Sequence, residues 1–396
     1  MNSQAASQRD HSKVICAFYA STCYGSEYRA GMEFIKFAAS CGFTLALTSD
    51  VEKNSTAEEI ESNAPGIRVI RIPSAVKRQS TLFRINDFLP QSLWHYRAAR
   101  WLRANNPETQ NLWVQNGASP WLPISPYLGL SKTLIWGPTG GGEPPSPAMM
   151  AALPWRHQLR ENLRSQIELF LLNRKKTALR NSQSSRLIPM ARTREAQEQL
   201  RRMLGRNIPI IPEIIDPIKS VQISKEPATY PRFIWAGQDV PRKNLPLALK
   251  IFQHVRQSGY PDATIDIYGC TETAKELPDG ATCHGWVNRV PWENYRNNGV
   301  LLLTSFREGL PSVLLEAASN GLLCISSDVG AISLLDIPTL HILPKTEYPN
   351  FEANTLDGIV QSIRSHLARD EIRFKNVSHR QQLTDHLLSQ GVFNPL

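Results

Sequence analysis

The chain has 396 residues, 41% of them apolar and 20% charged, which is too long for one ordinary hydrophobic core and too evenly mixed for a disordered or membrane-spanning protein. Its net charge of +9 is local, because residues 151–206 hold thirteen Lys/Arg against Glu161, Glu168, Glu195 and Glu198 while the remainder is neutral. Electrostatic attraction to a partner is therefore expected along one segment only.

The N-terminus, MNSQAASQRDHSK, is polar and leads into VICAFYA, a strand-like run over residues 14–20, with neither a signal-peptide core nor a membrane span. Six scattered cysteines, Cys16, Cys23, Cys41, Cys270, Cys283 and Cys324, form no C-x-x-C pair and no metal-like spacing to histidine, so reduced thiols and a cytoplasmic location are expected. Helical spacing over residues 28–40 (Ala30, Phe34, Phe37, Ala38) and a second strand over 43–48 make a β-loop-α-β unit. Strands are predicted at 67–72, 112–115 and 133–136, with a helix over about 93–104. Residues 155–180 read as a helix, broken near 181–185 and followed by a second basic helix over 194–204. IPIIPEIIDP, with Pro209, Pro212 and Pro217, then reads as a stiff extended linker rather than a core element.

From residue 232 the alternation restarts: FIWAG, a helix over 245–258, TIDIYG, a short helix over 291–297, VLLLTS, a helix opening at Pro311 and Ser312, the strands LLCISS and LHIL, and a mostly helical tail over 357–389. Strands alternating with helices on both sides of a proline-rich linker predict two Rossmann-like, doubly wound α/β domains facing across a cleft. Their expected limits are 1–215 and 216–370, with a helical tail over 371–396.

Four stretches carry chemistry. In SFREGLPSVLLEAASNG a buried-type strand runs through a tight loop into a helix, and free N–H groups at such a helix entrance suit a phosphate. Glu316 leans back toward that entrance, where a neutral diol beside the phosphate is the sensible ligand, and Glu308 on the loop would likewise accept from hydroxyls. An acid/base couple is the competing reading. Eight helical residues span about 12 Å, which exceeds the roughly 5–9 Å between glycosidase carboxylates. In WAGQDVPRKNLPLAL, Arg242 and Lys243 stand at the carboxyl end of a parallel strand, where two cations can neutralise a diphosphate leaving group. LIWGPTGGGEPPSP places Gly140, Gly141 and Gly142, then Glu143, at another strand end, as a loop suited to the cleft. YGSEYRAG lacks a full G-x-G-x-x-G, but Gly25 and Ser26 suit a close backbone approach at a helix entrance.

Together these stretches resemble glycosyltransferases of the two-domain GT-B architecture, specifically the retaining family 4. The E-x7-E of REGLPSVLLEA is the most specific part, GQDVPRKN is similar to the family's G-R-L-x-x-x-K-G loop, and IWGPTGGGE and GSE are similar to a bacterial polysaccharide-synthesis branch. The resemblance implies transfer of a sugar, with retention, from a UDP- or GDP-type nucleotide sugar to a glycan or lipid-linked acceptor. It implies that Glu316 holds the donor ribose, Glu308 the transferred sugar, and Lys243 with Arg242 the diphosphate. Gly237 and Gln238, the amides of Gly309, Leu310, Ser312, Val313 and Leu314, and Gly25 and Ser26 would complete the donor site, while Trp286 and Val287 in HGWV would meet the base. No cofactor is implied, and the absence of Asp-x-Asp means that no metal is required.

Three departures stand out: Gln238 where the family has arginine, SDVGAISLLD in place of D-x-G-G-x-P-E, and Gln115-Asn116 where an acceptor-side histidine is usual. They keep open an inactive nucleotide-sugar-binding homologue; an epimerase of the same architecture would need an acid/base pair. The basic residues 151–206 suit either an interfacial helix on an anionic membrane, at the inner membrane face, or a core-packed helix with solvated basic faces. They lack interleaved aromatics and any nucleic-acid motif, so nucleic acid is not an expected partner.

Overall fold

The computed structural model describes residues 12–21, 26–51, 56–74, 88–115, 124–140, 145–181, 185–212, 221–222, 229–270, 277–287, 289–347, 351–369, 371–372 and 379–392. They form two compact units. The first comprises residues 1–141, 166–215 and 379–396, and the second residues 142–165 and 216–378.

The first unit is built on strands β1 (Lys13–Ala17), β2 (Leu45–Ser49), β3 (Arg68–Ile72), β4 (Asn111–Gln115), β5 (Thr133–Thr139) and β6 (Arg186–Ala191), in the order β3-β2-β1-β4-β5-β6. All pairs are parallel. Val14, Ile15 and Cys16 are buried, as are Leu112, Trp113 and Val114, because helices cover both faces of a parallel sheet and every side chain of a central strand then points into a core. Around the sheet lie α1 (Ser26–Ser40), α2 (Ala57–Asn63), α3 (Phe88–Asn105), the distal part of α5 (Trp155–Asn181) and α6 (Arg194–Leu204). Thr56 and Thr193 cap α2 and α6 by accepting the amides of Glu59 and Ala196. Gly205, at φ 70°, ends α6 in the left-handed conformation that glycine adopts without strain.

β6, RLIPMA, is absent from the sequence reading because Pro189 argues against a strand; it sits at the sheet edge, where a missing donor is tolerated. The start of the proline-rich stretch also departs from the expected linker. Ile211 donates its amide to the Ala191 carbonyl at 2.7 Å, and Ile208 and Ile211 are buried, so this part of it is core; Pro217 lies outside the described residues.

The second unit repeats the design with β8 (Arg232–Ala236), β9 (Thr264–Tyr268), β10 (Ala281–Cys283), β11 (Gly299–Leu303), β12 (Leu323–Ser327) and β13 (Leu340–Leu343), ordered β10-β9-β8-β11-β12-β13 and again parallel. Helices α7 (Leu245–Gln257), α8 (Ser312–Ser319) and α9 (Ala353–Leu367) bury Ile251, Phe252, Leu314, Ala318, Ile359 and Ile363 against it. A two-stranded antiparallel pair, β7 (Val221–Gln222) with β14 (Glu371–Ile372), belongs to the same unit. Two segments cross between the sequence halves. Residues 142–165, read in the sequence as part of the first domain, cluster with the second because Met149 and Leu153, in and just after α4 (Pro147–Ala152), are buried in its core. The end of the tail, α10 (His379–Ser389), clusters with the first because Leu383, Leu387 and Val392 are buried there.

The expectation of reduced thiols throughout is corrected. Cys270 and Cys283 form a disulfide, with Cα atoms 6.6 Å apart, at the ends of the adjacent strands β9 and β10. Cys16, Cys41 and Cys324 are free and buried, and burial pushes the Cys324 thiol up to about 12. Among the described residues, no helix is long and apolar enough to cross a membrane.

Candidate functional site

In the second unit the chain order reverses at β8, which has β9 on one side and β11 on the other. The loops leaving the carboxyl ends of β8 and β11 flank that reversal, the position at which open parallel sheets bind ligands. The two loops are stitched together. Phe306 donates its amide to the Arg242 carbonyl at 2.8 Å, and the buried Thr304 hydroxyl bridges the carbonyls of Lys243 (3.2 Å) and Asn244 (2.8 Å). A single 3-10 turn, Pro241–Lys243, ends at Asn244 with φ 51° and turns straight into α7, which fixes where Lys243 leaves the backbone.

The Lys243 ammonium lies 2.5 Å from Glu308 Oε1, with the two side chains only 15% and 10% exposed. Glu308 is therefore not a solvated loop charge. Arg242 Nη1 stands 4.0 Å from the same oxygen on a half-exposed side chain, so the three residues assigned to catalysis gather at one point. Behind the Glu308 loop runs the stretch in which SDVGAIS departs from the family pattern. Ala331 donates its amide to the Gly309 carbonyl at 2.9 Å, and Gly330, at φ 62°, packs so closely that a Cβ would run into the carbonyls of Glu308 and Gly309.

Helix α8 opens after Pro311, which caps it without a side-chain hydrogen bond. The Leu314 amide donates to the Pro311 carbonyl at 3.1 Å, so of the amides assigned to a phosphate it is engaged; those of Ser312 and Val313 have no carbonyl partner among the described residues. Leu310 is buried, Gly309 is half-buried, and the Leu314 side chain lies in the core. One turn into the helix, the Trp292 indole N–H donates to Glu316 Oε2 at 3.1 Å. Trp292 is fully buried on a 3-10 turn (Trp292–Tyr295) ahead of β11, and sequence reasoning missed it. The only local signal was a large aromatic in PWENY, which reads equally well as packing.

Gly237 donates its amide to the Tyr268 carbonyl at 3.0 Å, and Gly269, at φ 86°, packs against the Gly237 carbonyl; Gln238 is exposed. The HGWV loop is held at its start. The Gly285 carbonyl accepts from Gly269 at 2.6 Å, His284 Nε2 lies 2.6 Å from Asp266 Oδ1, and the His284 ring stacks on Tyr268 with centroids 4.7 Å apart. Asp266 also accepts from the Tyr295 hydroxyl (2.9 Å) and from Arg232 (3.2 Å), and burial pushes both the Tyr295 and the Tyr268 hydroxyls up. Beyond this braced start, Trp286 is 75% exposed and Val287 packs partly against the core.

In the first unit Ser26 opens α1, and Gly140 closes β5 at φ 140°, where a Cβ would stand 2.8 Å from that of Ala196. Gly140 thus serves the packing of β5 on α6. Gly25, Gly141, Gly142 and Glu143 lie outside the described residues.

Residues 218–334 match the family model described as Glycosyl transferases group 1. No curated protein sequence matches the chain. Among solved structures, the chain is similar to the apo form of the lipopolysaccharide outer core galactosyltransferase WaaB, at 14% identity and a TM-score of 0.54, over 96% of this chain and 99% of that one. It is also similar to sucrose-phosphate synthase from Thermosynechococcus elongatus, at 15% identity and a TM-score of 0.53, over 96% and 98% of the two chains. WaaG, a glycosyltransferase involved in lipopolysaccharide biosynthesis, aligns at 11% identity and a TM-score of 0.51, over 96% of each chain.

Proposed function

We propose that the chain, which has the GT-B fold and matches the group 1 glycosyltransferase model over residues 218–334, transfers a sugar from a UDP- or GDP-type nucleotide sugar to a glycan or lipid-linked acceptor, with retention of configuration. The observation that carries this reading is the Lys243–Glu308 pair beside the entrance of α8. A diphosphate at that entrance meets the first-turn amides, the positive end of the helix and the Lys243 ammonium, the groups needed to stabilise negative charge on a departing nucleotide. Arg242, half-exposed next to Glu308, takes the place of the arginine that Gln238 lacks. The ribose lies further along α8, where Glu316 accepts its hydroxyls, and the base rests by Trp286 and Val287 in the HGWV loop.

Glu308 has a double role in this scheme. It aims the Lys243 side chain through their contact, and it accepts from the hydroxyls of the transferred sugar as positive charge develops at the anomeric carbon. The acceptor hydroxyl then approaches on the face the diphosphate is leaving, and the donor phosphate takes its proton. Nothing in this route asks for a separate protein base, so the work of the residues is positional and electrostatic. Polysaccharide synthesis is the process proposed for the product.

Turnover of UDP- and GDP-sugars with lipid and glycan acceptors tests this reading. Glu308→Gln should cut turnover by about 100-fold while nucleotide affinity changes little, because its hydroxyl and Lys243 contacts matter most in the transition state. Full turnover in that variant would rule out the assigned role.

A further inference from the structure

Helix α5 presents two parallel stripes over its first three turns, within the second unit. Trp155, Leu159 and Leu163, spaced by four, are 68%, 63% and 61% exposed, and Ile167 and Phe170 continue the line. Arg156, Arg160 and Arg164, one residue on in each case, form an exposed basic stripe beside it, and the Arg156 guanidinium lies 5.4 Å from the Trp155 ring. The opposite face is the anchored one. Glu161, the only carboxylate between residues 155 and 165, turns inward and pairs with the buried Arg307 at 2.5 Å, and Gln158 donates to the Leu153 carbonyl at 2.7 Å. The outward face of these turns therefore carries exposed apolar and cationic side chains, and the inward pair fixes its orientation.

We propose that these three turns dock on an anionic lipid surface, with Trp155, Leu159 and Leu163 entering the headgroup boundary and Arg156, Arg160 and Arg164 meeting lipid phosphates. Burying three large apolar side chains needs an apolar host, and the row of exposed arginines beside them favours a negatively charged one. A core-packed helix would have hidden the leucines. The docking face is anchored through Arg307 to the residue next to Glu308, which ties the lipid surface to the transfer loop. The inference rests on the lipid-linked branch of the proposed function, and its failure would leave the nucleotide site untouched.

Vesicle co-sedimentation of the full chain tests it, using phosphatidylglycerol/phosphatidylethanolamine vesicles against pure phosphatidylcholine. Wild type should partition to the anionic vesicles, less so as salt rises. The double substitution Leu159→Glu with Leu163→Glu should lower partitioning by about tenfold or more while UDP and GDP affinities stay unchanged. Arg156→Gln, Arg160→Gln and Arg164→Gln together should remove the preference for anionic over neutral vesicles. Equal partitioning of the leucine variant and wild type, or no partitioning of wild type, would overturn the proposal. So would a wild-type dimer in light scattering that the leucine variant dissociates without any vesicle binding, since a second copy of the chain would then be the occupant.

Discussion

Trp292 shows how a carboxylate in mid-helix is held ready. Glu316 has several rotamers open to it on α8, and the indole N–H of a fully buried ring selects the one that accepts at Oε2. Trp292→Phe keeps most of the ring and removes the donor. A hydrogen bond to a charged group contributes about 1.5–3 kcal/mol, so UDP or GDP should bind roughly tenfold more weakly, with 2'-deoxy nucleotides affected less. Equal weakening for ribo and deoxy nucleotides would show that Trp292 acts through packing alone. The placement of Glu308, Lys243 and Glu316 by a strand end and a helix entrance was legible in the sequence, because that spacing is local. Trp292 was not, since it stands 24 residues before its partner and only the folding of β11 onto β8 and β12 brings the two together.

At the scale of elements, the site depends on loops that lean on one another. The Glu308 loop has no strand partner of its own; it is held by Thr304, by the amide of Phe306 and by the close pass of Gly330. Gly330→Ala forces a Cβ into two carbonyls at a positive φ and should cost about 1–3 kcal/mol of stability. Donor turnover should fall much further than the melting temperature, because the displaced backbone carries Glu308. An unchanged turnover would mean that the loop is positioned from elsewhere. Long elements with clear periodicity were legible, α6 down to its ends and α7 to within one residue. The elements that escaped have physical reasons: β6 contains Pro189, α2 has seven residues, and β10 is three half-exposed or exposed residues at a sheet edge.

At the scale of the molecule, two Rossmann-like units were legible from strand and helix alternation alone. The segments that change units were not, because an apolar stripe states that a helix needs a core without stating which one. The disulfide escaped for a similar reason: a separation of 13 residues has no signature until β9 and β10 become neighbours. Buried histidines set a global property. Burial, with a smaller contribution from Arg369, holds His366 at about 4, below its ordinary value of 6.5, and burial also lowers His341, His379 and His386. The unfolded chain therefore binds more protons than the folded one in mildly acidic solution, so stability is complete above about pH 6.5 and is lost as pH falls toward 4, with His366 contributing on the order of 3 kcal/mol. Melting temperatures measured across that range should fall for wild type and fall less for His366→Leu; parallel curves would contradict the assignment. The nucleotide site proposed for the second unit is tested most directly by calorimetric titration of UDP and GDP into wild type and Glu316→Ala. The expected result is one bound nucleotide in wild type and at least about tenfold weaker binding in the variant. Binding of neither nucleotide to wild type, or equal affinity in both proteins, would contradict it.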